Sequence, residues 1–339
     1  MLVWGRIQRQ NNSRRNAVRT FTQDKALAFV QNELLWGAAA GSCRTADRAR
    51  RYAEAGMRIV PSGSDTMLKR GGNPGDNFYC DEDGNSINAL GIPSPGIDVA
   101  LSEIKKSRKE ANRFGAQSWA SISAGNEFIA DEYHDMAHLL EQNNAADVIG
   151  GNFSCGNMVL PDGTYKPIVC YDLGAFEDGV QALAAGAGNK KTEVKLTPTT
   201  ERRFLIANVE ICLKYGIDYI TMANTVPNCY LEKPDGTPGI SMVLGGGGGK
   251  MLIPIVTGML KMTVPMLKGT NTKVIAAGGV DCGAVAYHYL KHKAAGFVFG
   301  TALWKRNFDP RVGQEIIMGD ESRNLPGLVD LLVKHGLPD

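Results

Sequence analysis

The chain has 339 residues, 43% hydrophobic and 21% charged, with a formal net charge of +2 at pH 7. That is the balance of a globular protein long enough for one large barrel or two smaller domains, and it gives no electrostatic reason to expect nucleic acid or a membrane surface as a partner. No apolar run is long enough to span a bilayer; residues 251–266 come nearest, but Lys261 interrupts them and Pro254 and Pro265 flank the segment.

In chain order, the first 23 residues hold five arginines (Arg6, Arg9, Arg14, Arg15, Arg19) and no acid. A basic N-terminal extension over residues 1–30 follows, either a mitochondrial-type targeting segment or a solvated arm. Residues 31–339 are expected to form one domain. Short apolar runs predict strands at Leu34–Ala40, Met57–Pro61, Gln117–Ser123, Asp147–Phe153, Glu193–Leu196, Tyr219–Met222, Lys273–Ala277 and Phe297–Gly300. Helical periodicity fills 45–55, 96–113, 126–143, 175–187, 200–215, 250–263, 282–293 and about 326–335. Eight strands, each followed by a helix, predict a (β/α)8 TIM barrel. An open doubly wound sheet is the alternative, since periodicity does not show closure. Thr45 and Thr199-Thr200 supply hydroxyls where helix N-termini need acceptors. The Gly-, Asn- and Asp-rich stretch from Ser62 to Pro95 is expected to fold over the barrel mouth as an excursion, and residues 154–174 form a second long loop there.

Asn152-Phe-Ser-Cys155-Gly-Asn157 closes the fourth strand, at the end where such barrels place reacting groups. It sets one ionisable thiol between two carboxamides, a proton acceptor beside groups that both donate and accept hydrogen bonds. The other reading is a polar loop with an inert cysteine. The seven cysteines are scattered with no C-x-x-C pair, which argues against a zinc site and a disulfide framework and for a reducing compartment. Lys195 lies inside an apolar strand and needs an anionic partner, unless it snorkels to the rim. The N1–C2=O edge of a flavin would serve. Three glycine clusters end strands six, seven and eight: Gly245 to Gly249, Gly278-Gly279 and Gly300-Thr301. Together they suggest anion-binding turns for a phosphorylated cofactor. His134/His138 and His288/His292 have metal-compatible spacing but no evident third ligand, so no metal is expected. The four tryptophans read as structural.

These residues together resemble the dihydroorotate dehydrogenase family over roughly 34–305. Ala39-Ala40-Gly41 is similar to the family's flavin-contacting turn after strand one. Gly72-Asn73-Pro74 with Asn88-Ala-Leu90-Gly91-Ile92-Pro93 is similar to its substrate-holding N-S-M-G-L-P segment. Asn152 to Asn157 resembles the N-x-S-C-P-N loop, Val194-Lys195-Leu196 the flavin-lysine strand, and Asn224-Thr225 the Asn-Ser pair after strand six. The resemblance implies FMN at the mouth, contacted by Ala39, Ala40, Gly41, Asn152, Lys195, Gly278, Gly279, Gly300 and Thr301; Gly246 and Gly247 join them as the anion-friendly turn. It implies Cys155 as the base of class 1 enzymes, where membrane-bound class 2 enzymes use serine. Asn88, Leu90, Gly91, Ile92, Asn152, Asn157, Asn224 and Thr225 would surround the pyrimidine, and Lys195 would stabilise reduced flavin.

Dihydroorotate oxidation in pyrimidine biosynthesis is the implied reaction. Fumarate or an iron–sulfur, FAD-containing partner subunit is the implied electron acceptor, with a homodimer in a cytoplasmic setting. The family's lysine in T-K-S after strand two is missing: the segment reads Pro61-Ser62-Gly63-Ser64. Gly156 replaces the proline beside the cysteine, and Ala89 replaces a serine. The missing cation leaves open a reductase of another cyclic amide or enone, with Cys155 as acid. A ligand-binding barrel without turnover is a third reading.

Overall fold

The computed structural model describes residues 21–125, 129–160, 162–199 and 201–338. Eight parallel strands close into one barrel: β1 (Leu35–Ala38), β2 (Ile59–Asp65), β3 (Gln117–Ile122), β4 (Val148–Asn152), β5 (Lys191–Lys195), β6 (Tyr219–Met222), β7 (Lys273–Ala277) and β8 (Gly296–Phe299), with β1 hydrogen-bonded to both β8 and β2. Strands buried on both faces read as continuous apolar runs, which is why the sequence marks them so clearly. β2 alone runs well past its predicted end, to Asp65, with an irregularity against β3 between Ser62 and Asp65.

The helices cover the outside. A large core of alanines, branched aliphatics and aromatics fills the space between them and the barrel. Thr45 caps the helix Ala46–Glu54 by accepting from Arg48 N, as its position predicts. At the other expected cap, the helix begins only at Arg202; Thr199 Oγ1 accepts from Glu201 N, and Thr200 lies outside the described residues. Inside the barrel, Ile59, Trp119, Val148, Tyr219, Ile275 and Val298 form an apolar plug, with Trp119 and Tyr219 rings 4.7 Å apart. The barrel is thus closed below by side chains, and any ligand enters from the C-terminal ends of the strands.

The excursion after β2 contains a hairpin, Phe78–Cys80 and Asn85–Asn88, extended by Gly245–Gly249 and Val226–Cys229 into a four-stranded antiparallel sheet at the mouth. This corrects the glycine-run expectation. Gly245 to Gly249 is a buried strand rather than a phosphate turn. Glycine is needed there because neighbours press on it: a Cβ at Gly246 would stand 2.0 Å from Thr225 Oγ1, and one at Gly247 2.5 Å from Cys229 Sγ.

A boundary at residue 30 also falls inside a secondary-structure element. The helix Gln23–Asn32 buries Ala26 and Val30 in the main core, so barrel packing begins before that residue. Residues 1–20, which carry all five arginines, lie outside the described residues. Among the described residues no helix is long and apolar enough to cross a membrane.

Phe153, immediately after β4, stacks on Tyr133 at 4.2 Å and meets Phe176 edge-on at 5.2 Å. It anchors the cysteine loop from below. Phe153→Ala is expected to cost about 3–5 kcal/mol, measurable as a lowered midpoint in urea unfolding.

Candidate active site

The strand ends surround a cavity of about 640 Å³. Its floor is Ile59, Trp119 and Val298 from the plug. Above the floor, β5 turns Lys195 inward, while Ala39, Ala40, Ala223 and Ala277 give small apolar walls. Gly278, Gly279, Gly300 and Thr301 line the same cavity after β7 and β8, joined by Gly41, Gly248 and Gly249. Gly278 and Gly279 have φ of +133° and +69°, which a side chain would strain, and a Cβ on either would strike the preceding helix, Leu252–Thr263, at Leu252 or Ile253. Asn88 and Leu90 enter from the excursion, and Asn224 and Thr225 from the end of β6. One cavity therefore carries a cation, carboxamides and glycine turns. A flat ring with a phosphate tail calls for that set of groups, so the residues present fit a flavin mononucleotide.

The remaining predicted residues stand around the cavity rather than in its wall. Asn152 is buried at the β4 end, where its Nδ2 donates to Ser64 Oγ at 3.1 Å. Its Oδ1 accepts from Ser154 Oγ at 2.9 Å, and Ser154 Oγ accepts in turn from Asn224 Nδ2 at 2.9 Å. Asn157 Nδ2 donates to Asn88 O at 3.0 Å, and Asn88 Nδ2 to Gly246 O at 3.2 Å. Gly246 thus supplies a carbonyl to Asn88. Gly91 has φ +67°, and a Cβ there would stand 2.4 Å from Asn73 Oδ1; Ile92, with φ +51°, is buried.

Asn73, which the resemblance sets beside the substrate-holding segment without a role of its own, ties the loops of the mouth together. Its one amide nitrogen donates to Ala89 O at 2.9 Å and to Asn157 O at 2.7 Å, tying the excursion to the cysteine loop. Arg70 bridges the same two loops, donating to Gly91 O at 3.3 Å and Val159 O at 3.0 Å.

Cys155 is half-buried on its loop. Burial raises its thiol pKa above the ordinary 9.0. The Asn157 backbone and the charges of Lys195, Lys166 and Arg70 pull the other way. Lys166 is the unexpected member of this group. It lies 11 residues beyond the cysteine yet is only 7% exposed, its Nζ donating to Ala124 O at the end of β3. Its backbone N bonds Met158 O at 2.9 Å, so the loop folds back as a short hairpin. Burial pulls its pKa down to about 8 against the opposing pull of Glu132 and Cys155. A lone lysine in a polar loop carries no period or motif, which is why sequence reading passes over it.

Gly63, where a lysine was expected from the resemblance, has φ +81°, and a Cβ there would stand 2.3 Å from Ser121 O. The backbone leaves no room for a side chain at that position. Trp304, expected to be structural, lines the cavity and stacks on Phe78 at 5.0 Å.

The family model for dihydroorotate dehydrogenase matches residues 30–319. The chain belongs to the dihydroorotate dehydrogenase family. It is accordingly a flavin-dependent oxidoreductase acting on CH–CH bonds, with a small-molecule substrate and a separate electron acceptor. It is 28% identical over 292 residues to dihydroorotate dehydrogenase A (fumarate) of Lactococcus lactis subsp. cremoris, covering 84% of this chain and 87% of that protein. It is 27% identical over 246 residues to the catalytic subunit of dihydroorotate dehydrogenase B (NAD(+)) of Methanocaldococcus jannaschii, covering 71% and 75%. The dihydroorotate dehydrogenase (fumarate) of Kluyveromyces lactis is 26% identical over 301 residues, covering 87% and 92%.

The Lys166 geometry has a consequence for stability. A lysine whose folded pKa lies below its unfolded value leaves the unfolded chain binding more protons between the two. Its contribution to stability therefore rises with pH from about 8 towards 10.5. Lys166→Met should lose that rise, giving a flatter stability-versus-pH curve than wild type across this window in urea titrations.

Proposed function

We propose that this chain oxidises dihydroorotate to orotate, holding FMN in the barrel cavity, with Cys155 as the base. The observation that carries this reading is that Lys195, Asn88, Asn224 and Thr225 line one cavity with the glycine turns after β7 and β8. Lys195, Thr301 and the glycines at 278, 279 and 300 would hold the FMN. FMN, when bound, supplies the acceptor for the hydride that leaves C6 of the substrate.

The protein's part is binding, orientation and proton transfer. Cys155 thiolate removes the C5 proton, and the C5=C6 double bond forms as the hydride departs. Asn88, Asn157 and Asn224 grip the amide and imide edges of the ring, each able to donate and accept. Asn152 acts from behind, fixing Ser154 and Asn224. Lys195 would stabilise the negative charge that a bound flavin gains on reduction. Arg70, between Gly91 and Val159, takes over the role of the absent lysine toward the substrate carboxylate. A charge-assisted hydrogen bond of this kind contributes about 1.5–3 kcal/mol. The thiol must enter the cavity from its loop, and closure of residues 154–174 over bound substrate would bring it there and exclude water. Fumarate is the acceptor we propose, since the relatives matched over the larger shares of the chain are fumarate enzymes by name. The homodimer belongs to the same proposal.

A second reading, reduction of another cyclic amide or enone with Cys155 as acid, is favoured by the lack of space for a cation at Gly63.

Anaerobic mixing of the FMN-loaded protein with L-dihydroorotate should bleach the oxidised flavin band. With a thiol pKa above 9.0, the bleaching rate should climb about tenfold per pH unit through neutrality and level off only in the alkaline range. Cys155→Ala should slow it by about 10²–10⁴-fold. A rate that is flat with pH, or unchanged in Cys155→Ala, would remove the cysteine from the base role.

A further inference from the structure

The strand that presents Lys195 carries a second ionisable side chain, Glu193, that the proposed chemistry does not use. Alternation along β5 puts residues 193 and 195 on the same face, and both line the cavity. Glu193 stands one layer deeper, opposite Gly150 on β4 and Tyr219 on β6, while Lys195 stands opposite Asn152 and Thr221. Gly150 makes the room: a Cβ there would lie 2.2 Å from Glu193 Oε2, so the carboxylate occupies the space that a side chain on β4 would fill. Glu193 is 7% exposed.

A buried carboxylate is expensive unless a hydrogen bond and an opposite charge compensate it. Glu193 has both. The Thr221 hydroxyl bonds it, and Lys195 is the charge that opposes the upward push of burial on its pKa. The relation is mutual, for Glu193 is the foremost charge opposing the effect of burial on Lys195.

We infer that Glu193 is a positioning residue that partly neutralises Lys195 in the flavin cavity and would thereby lower the reduction potential of the flavin held there. This rests on the FMN reading given above. Reduction places negative charge on the N1–C2=O edge, and charge fixed near that edge tunes the couple. An uncompensated lysine would favour the reduced form. A carboxylate held in register two residues away cancels part of that preference, and Gly63 leaves no room for a further cation from β2 to restore it.

The test is the midpoint potential of FMN bound to wild type, Glu193→Gln, Glu193→Asp, Lys195→Met and the Gln/Met double variant. Flavin content and far-UV circular dichroism would check that each variant is loaded and folded. Glu193→Gln should favour reduced over oxidised FMN by about tenfold, an upward shift of about 30 mV for a two-electron couple. Glu193→Asp, which keeps the charge but withdraws it by one methylene, should shift less in the same direction, and it serves if the glutamine variant does not hold FMN. In the Lys195→Met background the glutamine shift should shrink, because it acts through the lysine. Equal potentials in wild type, Asp and Gln would overturn the inference while leaving FMN binding intact, as would an undiminished shift in the Lys195→Met background. A wild-type chain that takes up no FMN would overturn both this inference and the reading beneath it.

Discussion

Asn73 gives its amide hydrogens to the carbonyls of Ala89 and Asn157, and Asn157 gives its own to Asn88. These bonds run between loops, and the geometry of the mouth depends on them. The bonded residues of the excursion after β2 and of the cysteine loop after β4 lie 84 (Asn73 to Asn157) and 69 (Asn157 to Asn88) positions apart in sequence, with β3 between them. They meet because carboxamides can satisfy backbone carbonyls that no regular element reaches, and buried carbonyls need such partners. Arg70 reinforces the junction through the carbonyls of Gly91 and Val159, and Lys166 through that of Ala124. A ligand held by the same asparagines would find its donors already oriented, which is where preorganised sites gain their advantage.

The second constraint is space. Small residues surround the cavity because large ones would fill it. Gly246 lets Thr225 and Asn157 approach, Gly150 makes way for a carboxylate, and alanines from β1, β6 and β7 leave flat walls. The abundance of glycine therefore has two distinct origins. Some glycines adopt backbone angles other residues avoid, such as Gly278 and Gly279; others, such as Gly246, are simply crowded.

The barrel was legible because buried parallel strands are short apolar runs and their helices carry a clear period; all eight predicted strands lie on observed ones. The cation at β5 was legible for the opposite reason, as a charge interrupting an apolar run. The glycine run misled because composition does not distinguish a tight turn from a crowded strand; only the pressure of Thr225 and Cys229 on it does. Lys166 and Glu193 carry no signal of their own in the sequence, and Asn73 is marked there only as a neighbour of the substrate-holding segment, because their importance comes from what lies across space. Lys166 is buried by a hairpin within a loop, Glu193 is buried where the next strand has no side chain, and Asn73 is held by two carbonyls from separate segments. Gly63 could be read as a missing cation, but only its φ and the nearby Ser121 carbonyl show that no side chain fits there.

The central claim is that the mouth recognises a pyrimidine ring through carboxamides and its carboxylate through Arg70. Titrating the FMN-loaded chain with orotate and, separately, with uracil, while following the flavin spectrum, tests it most directly. The account predicts a saturable perturbation with both, with orotate binding about tenfold or more tightly, as a charge-assisted contact would give, and with that margin lost in Arg70→Met. Uracil binding as tightly as orotate, or orotate leaving the spectrum unchanged, would contradict it.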